Sequence, residues 1–427
     1  MLRATLSLLL LAPLAVAQAP REAIPQNPGP VTELPGGQPV SRPIQPVQAE
    51  SPLPPTPLPD PVPLPEGKVI ERPAARPNHW FSVDYLMSWT KGTTLPAVAT
   101  ANMFGTPVLG DPNTVTLLGG RQNPGTFEGM RMVLGSGGQG DSPFGTEIAY
   151  HVLGSKTNQA TVAGGGVPGE ALLGRPLFNA RTGQEDAVLI AQPQMLGNLE
   201  MSQTLRVTGW EATLLRSLYS NEWVRVSALA GYRYFQVNEG LRLDQLTEFL
   251  GPAVVGTGLA AYRSATADQI DAHNQFHGGT LGLRTQLDYN GFFAQLDTKV
   301  SLGRNTEIVR ISGQTVSTIT SSGGTTISYF PNGVYGQPSN TGRSARGVFA
   351  VLPEANVRLG YAFTERARVF VGYQFSYLSD VVRSADQLDR VVDLAQTGSD
   401  SLGRPRVPFV RTDFWVQGVT LGLEWRY

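Results

Sequence analysis

Residues 412–427 read TDFWVQGVTLGLEWRY. Taken in twos from Tyr427, one face carries Trp425, Leu423, Leu421 and Val419, and the other carries Arg426, Glu424, Gly422, Thr420 and Gly418. Successive strand side chains point to opposite faces, so this stretch is a strand with one apolar, aromatic face and one polar or small face. Two folds use such a strand. A soluble sandwich turns the apolar face inward, whereas a transmembrane barrel turns it to lipid and keeps the polar face in its lumen. The strand alone leaves both open.

The preceding chain repeats the pattern nine times. In strand one Phe81, Val83, Tyr85, Met87 and Trp89 oppose Ser82, Asp84 and Ser88. Strand two, near 127–135, sets Met130, Met132 and Leu134 against Arg131, and strand three, near 144–154, sets Phe144, Ile148, Tyr150 and Val152 against Glu147. Strand four, near 203–218, opposes Trp210, Leu214 and Leu218 to Glu211, Thr213 and Ser217, and strand five, 223–239, opposes Val224 to Tyr234 to Arg225, Ser227, Arg233 and Glu239. Strand six, near 276–288, has Leu281, Leu283 and Leu287 opposite Thr280, Arg284 and Gln286, and strand seven has Phe292, Leu296, Val300 and Leu302 opposite Gln295, Asp297, Lys299 and Ser301. Strand eight sets Val351, Val357, Leu359 and Tyr361 against Glu354, Asn356 and Arg358; strand nine sets Val369, Val371, Tyr373 and Phe375 against Arg368, Gly372 and Gln374. No Lys or Arg stands at mid-strand on the apolar parity, where it would cost about 2–4 kcal/mol in hydrocarbon. Arg216 has that parity but sits beside a short turn, where it snorkels to the interface. Trp89, Trp223 and Trp425 lie near strand termini as interfacial anchors, Trp223 with the inward parity.

The connections decide between the two folds. Joins such as Tyr219–Glu222, Asp288–Gly291 and Thr364–Arg366 are short, and they alternate with long joins throughout. Short turns on one side and long loops on the other mark an outer-membrane barrel, and about ten strands leave both ends of the barrel on the periplasmic side. The expected fold is therefore all-β: a transmembrane antiparallel up-and-down β-barrel of about ten strands with long external loops. The barrel occupies 79–427.

Composition agrees. Only 16% of residues are charged, against about a quarter in soluble domains. The formal net charge of −1 gives no general pull toward nucleic acid. With no Cys there is no disulfide, thiolate metal site or lipidated cysteine. Residues 1–17 read as a secretory signal: Arg3, an apolar core from Leu6 to Val16, and Ala15-Val16-Ala17 as the cleavage site. No stretch is long and apolar enough for a spanning helix, so a membrane chain of this kind closes as a barrel. Residues 18–78, with SPLPPTPLPDPVPLP at 51–65, form a proline-rich spacer without a core. It is expected to be a plain disordered spacer in the periplasm; the alternative is a semi-rigid spacer that touches the cell wall or a partner.

The inward charges Arg225, Arg233, Glu239, Asp297, Lys299, Glu354, Arg358, Arg368, Glu424 and Arg426 are the candidate lumen lining. They make either a solute-selecting constriction or a plug of paired charges. A barrel of about eight strands is just filled by its side chains and one of 16–18 leaves a channel, so ten strands favour the plug and low conductance. His151 and His277 are placed near external strand ends, able to meet above the barrel. No nucleophile elbow, metal-spaced His/Glu pair or phosphate loop accompanies them, so no catalysis, cofactor or metal is expected. Glycine-rich AGGGV (163–167) and SSGGTT (321–326) read as loop tips, and a short helix is expected over Leu243–Leu250.

Two resemblances follow. The apolar last strand ending in Tyr427 is similar to the assembly signal of bacterial outer-membrane barrels, which implies the barrel assembly machinery as a partner besides outer-membrane lipid. The stretches GYRYFQVNEGL (231–241), FAVLPE (349–354), VGYQFSYL (371–378), VVRSADQLD (381–389) and DFWVQGVTLGLE (413–424) resemble a family of planctomycete outer-membrane β-barrel porins, the seventh of the porin-like series. The family pattern has Arg-Pro-Gly-Asp where this chain has Arg383-Ser384-Ala385-Asp386. The resemblance covers 79–427. It implies a porin-like barrel in the outer membrane of a Gram-negative cell, passing small solutes at most. A structural or surface-interaction protein without transport is the alternative, and a membrane-embedded hydrolase the third.

Overall fold

The computed structural model describes residues 79–137, 143–249, 259–321, 323–395 and 400–427. The signal and spacer expected over 1–78 lie outside the described residues. The first strands are β1 (His79–Thr90), β2 (Thr93–Asn102), β3 (Thr114–Gln122), β4 (Thr126–Gly137), β5 (Phe144–Leu153) and β6 (Lys156–Gly164). Then come β7 (Leu172–Asn179), β8 (Gln184–Ala191), β9 (Met195–Ser220), β10 (Val224–Phe249), β11 (Leu259–Tyr289) and β12 (Phe292–Ser321). The last are β13 (Gly324–Phe330), β14 (Gly342–Ala362), β15 (Ala367–Val382), β16 (Val391–Val392) and β17 (Arg411–Arg426).

Ten of these close a ring in the order β1, β4, β5, β9, β10, β11, β12, β14, β15, β17 and back to β1, every neighbour antiparallel. They are the ten strands expected from alternation. Closure runs from Trp80 opposite Arg426 to Thr90 opposite Val416. At its foot the His79 N–H donates to the Tyr427 carbonyl at 3.1 Å and the Tyr427 N–H donates back at 3.0 Å. With no free edge, every ladder group has a partner in lipid.

The molecule is inverted relative to a soluble protein. Leu281, Leu421, Leu214 and Phe292 are exposed on the outer wall, whereas Ser82, Asp84, Asp297 and Ser301 are buried inside. Short turns lie on the side of the termini. The turn joining β11 to β12 is Asn290-Gly291, both at positive φ (48° and 82°), the geometry of a two-residue I′ hairpin. Trp223, expected to point inward, is exposed in the β9–β10 turn with its ring edge-on to Tyr289 at 6.0 Å.

Two further sequence expectations change. The central strands are far longer than expected: β9 and β10 have 26 residues each, β11 has 31 and β12 has 30. Crossing the bilayer takes about 9–11 residues, so these hairpins stand well clear of it. The helix expected over Leu243–Leu250 is instead the end of β10 through Phe249, with Leu250 outside the described residues. Its positions remain paired in register, Leu243 with Asp268 and Glu248 with Arg263, so the ladder satisfies the backbone that a helix would otherwise have satisfied.

The loops build a second sheet, β16-β7-β2-β3 with β8 on β7. It packs on the inward faces of the projecting strands through Leu95, Val98, Leu177, Ile190, Leu199, Leu243 and Ile311. Glycine makes room for a buried ring: a Cβ on Gly422 would fall 2.2 Å from the Phe370 ring.

Candidate functional site

The inward faces stack in three tiers. At the foot, on the side of the termini, Trp80, Phe293 and Phe370 are buried inside the barrel. The Arg358 guanidinium lies over Phe370 at 4.7 Å and that of Arg368 over Phe293 at 5.1 Å. Arg426 pairs with Glu424 at 2.6 Å and Arg368 with Asp288 at 3.5 Å. Arg225 is half-buried on the same inward parity.

The middle tier is a web of ion pairs that crosses the lumen. Arg284 on β11 is clamped between two carboxylates: Nη1 donates to Glu147 of β5 at 2.8 Å and Nε to Asp297 of β12 at 2.8 Å. Lys299 of β12 donates to both oxygens of Glu211 on β9 at 2.7 Å. Arg131 adds a contact to Glu211 at 3.6 Å and Arg233 one at 4.0 Å, so one carboxylate serves three cations. Arg233 of β10 also donates to Glu354 of β14 at 2.7 Å, and Arg358 of β14 to Asp84 of β1 at 3.0 Å. Four of these bridges (Arg284–Glu147, Lys299–Glu211, Arg233–Glu354 and Arg358–Asp84) join strands three places apart on the ring, and so run through the interior rather than along the wall. A buried ion is stable only when paired and hydrogen-bonded, because its desolvation costs several kcal/mol.

Above it lies an apolar tier. Leu86, Phe127, Leu153, Leu205, Val207, Phe235, Val237, Phe276, Leu352, Leu378, Phe414 and Val416 are each no more than 5% exposed. They carry the inward parity of nine of the ten ring strands, β12 being the exception. An apolar constriction excludes water and hydrated ions by dewetting. A cavity of about 40 Å³ lies between the charged and apolar tiers, lined by Arg131, His151, Glu211, Arg233 and Val416 among others. It has room for about two or three waters. Arg233 Nε and Glu354 Oε2 have no protein partner there.

Over the apolar tier the external loops are fastened by buried pairs. Arg175 of β7 donates to Asp268 of β11 at 2.6 Å, and Asp268 also accepts the N–H groups of Tyr335 and Gly336. Burial pushes the Tyr335 hydroxyl up to about 12, and it donates to the Pro176 carbonyl at 2.9 Å. Arg383 donates to Glu239 at 2.5 Å, and the Ser384 N–H to the other oxygen at 3.2 Å. The Arg-Ser-Ala-Asp turn thus anchors its loop through the Arg383 side chain. Arg181 holds Asp393 through two bonds at 2.6 and 3.0 Å, which depresses that carboxyl below its usual range.

Of the ten expected lumen residues, Arg233, Asp297, Lys299, Glu354 and Arg358 meet in the middle tier, and Arg225, Arg368, Glu424 and Arg426 sit toward the foot. Glu239 does not line the lumen; it lies above the apolar tier with Arg383. Five middle-tier charges were absent from the expected set: Asp84, Arg131, Glu147, Glu211 and Arg284. Parity already placed each inward, and that was the signal to use. The two histidines do not meet. His151 is inside, its Nδ1 3.4 Å from Arg233 Nη1, while His277 is exposed on the outer wall, 2.5 Å from the Tyr232 hydroxyl. They belong to opposite parities of the wall. Among the described residues no group of three His, Asp or Glu side chains has the geometry to hold a metal.

Among solved structures, the outer membrane protease OmpT of Escherichia coli aligns with 82% of this chain and 97% of its own at 11% identity, TM-score 0.40. The TodX deltaS2S3 mutant monoaromatic hydrocarbon channel aligns with 83% of this chain and 91% of its own at 8% identity, TM-score 0.23. The toluene transporter TodX of P. putida aligns with 82% and 90% at 7% identity, TM-score 0.17. At these scores none of the three bears on function. No curated protein sequence matches the chain. The sequence does match the family described as "Putative beta barrel porin-7 (BBP7)" over residues 80–427, the span of the closed ring, and the chain belongs to that family of porin-like outer-membrane barrels.

Proposed function

We propose that this porin-like barrel is closed to hydrated solutes and serves the outer membrane as a sealed scaffold for its external loops. The apolar tier carries the reading: side chains no more than 5% exposed fill the lumen directly above a web of mutually paired charges. A selective pore needs charges that face a passing solute, and here they face each other. In planar bilayers the purified protein is expected to stay at the membrane baseline, its fold checked by heat-modifiable gel mobility. Large, stable conductance steps from the folded protein would overturn the reading.

A surface role is favoured by the loops themselves, which pack into one body with its own core and expose Phe104, Met103 and Val115. Cross-linking on intact cells would capture neighbours of that body. No enzymatic role is included in this reading, since the two histidines lie on opposite sides of the wall. In the same reading the signal is removed after Ala17 in a planctomycete cell, and the 18–78 spacer reaches the cell wall. The assembly machinery engages β17. Deleting 18–78 tests the spacer: the barrel should still fold while its retention with cell-wall material falls.

A further inference from the structure

The outer wall carries a graded column across β9 and β10 that nothing in the barrel's closure requires. Its lowest step is aromatic. Tyr150, Trp210 and Tyr234 are cross-strand neighbours, with Trp210 and Tyr234 rings 6.4 Å apart. From Val224 at the foot of β10 to Tyr234 is ten residues, which on a strand tilted by about 40° rises about 26 Å. That height is the outer boundary of the hydrocarbon, where Trp and Tyr belong. The next step is polar, Thr208 opposite Gln236. The top step is Arg206 opposite Asn238, four residues above Trp210, or about 10 Å higher, within the headgroup layer. An open groove runs the length of the column, lined by these residues.

The top step is arranged for an anion. Arg206 is exposed and makes no hydrogen bond or ion pair with any described residue. The Asn238 oxygen is engaged by Gln236 Nε2 at 3.1 Å and His273 Nδ1 at 2.9 Å, which fixes the amide with its NH₂ free to donate. Directly opposite residues have Cβ atoms about 4.5–5.5 Å apart, so an acceptor held by the Asn238 amide is within reach of the Arg206 guanidinium. The acid in the next row, Asp271, is occupied by Gln269 Nε2 at 2.9 Å.

We propose that Arg206 and Asn238 bind the phosphate of an anionic outer-leaflet lipid whose acyl chains lie on Trp210, Tyr150 and Tyr234. The order of the steps, charge above polar above aromatic, is the order of groups along such a lipid. A free phosphate would have no use for the aromatic step. The proposal rests on the membrane placement and is independent of whether the lumen conducts.

Native mass spectrometry of the full chain, with phosphatidic acid, phosphatidylcholine or inorganic phosphate added to detergent micelles, tests it. Phosphatidic acid is expected to remain bound to the wild type, with binding about tenfold weaker in Arg206→Gln, the size of one charge-assisted hydrogen bond. Asn238→Ala should weaken it less, and Arg343→Gln, on the outer wall of β14, should leave it unchanged. Trp210→Leu should weaken phosphatidic acid binding with both polar groups intact. Equal retention by wild type and Arg206→Gln would overturn the site, as would equal retention of phosphatidylcholine. Full displacement of the lipid by millimolar inorganic phosphate would identify a free-anion site instead and sink the lipid assignment. Heat-modifiable mobility of each variant confirms the fold, and because Arg206 is exposed its replacement leaves the barrel standing.

Discussion

The lower and upper halves of this barrel are built from the same strands and interiorise opposite chemistry. In the membrane half the inward face is charged, and the charges are paired across the lumen. In the upper half the inward face of β9 to β12 becomes Leu199, Leu241, Ile270 and Val309, packed on the loop sheet. In these four strands parity does not slip between the halves; what changes is the neighbour. Below, the inward side chains meet only each other in a closed tube, so paired charges fill it and leave the apolar parity to lipid. Above, water replaces lipid outside and the loops supply a partner inside, so the strands revert to the arrangement of a soluble protein. Seal and stability are thus divided: the charges hold the lower half together, and the apolar tier closes the passage.

That division can be broken by experiment. Replacing Arg284 with Ala leaves Glu147 and Asp297 buried without their common cation, and the barrel should lose about 3–5 kcal/mol of unfolding stability in urea. A loss under about 1 kcal/mol would mean that the web does not hold the lower half. Its bilayer current should stay at baseline, because the apolar tier is intact. Phe276→Ala, at a position with no exposed surface, should cost about 3 kcal/mol and should also admit ion current, since it opens the apolar tier itself. Current from the Arg284 variant but not from the Phe276 variant would reverse the two assignments. The smallest effect concerns the loops and pH. Asp393 is held below the ordinary carboxylate range by its bonds to Arg181, so the unfolded chain takes up a proton there first as pH falls. The contribution is therefore complete above about pH 4 and is lost as pH drops through the lower folded value. Protection factors of the Ala395 and Leu402 amides, whose N–H groups donate to Asp393, should fall at acid pH while those of the barrel strands hold. Unchanged protection factors would remove the clamp from the account.

The strand count, the closed ring and the lipid face were legible because alternation is a local property. From Phe81 to Trp425 each side chain's face follows from its neighbour two residues away, and the Asn290-Gly291 turn announces itself in two letters. The same parity placed Arg131, Glu147, Glu211 and Arg284 inside, although of the middle-tier charges only Arg233, Asp297, Lys299, Glu354 and Arg358 stood among the ten singled out for the site. The length of β9 to β12 and the strand at Leu243–Phe249 were missed, since the apolar parity moves from the outer face to the inner one as the chain leaves the bilayer.

Sequence by itself therefore determined which face of each of the ten ring strands meets lipid and which meets the interior, because the pleat repeats every two residues. Only the tertiary structure decided who meets whom. Arg284 and Glu147 are 137 residues apart, and Arg358 and Asp84 are 274 apart. Those meetings are set by the stagger with which ten strands close, a quantity that no stretch of the chain carries alone. The same closure parted His151 from His277, lifted Glu239 out of the lumen to Arg383, and brought Arg206 beside Asn238 on the outer wall.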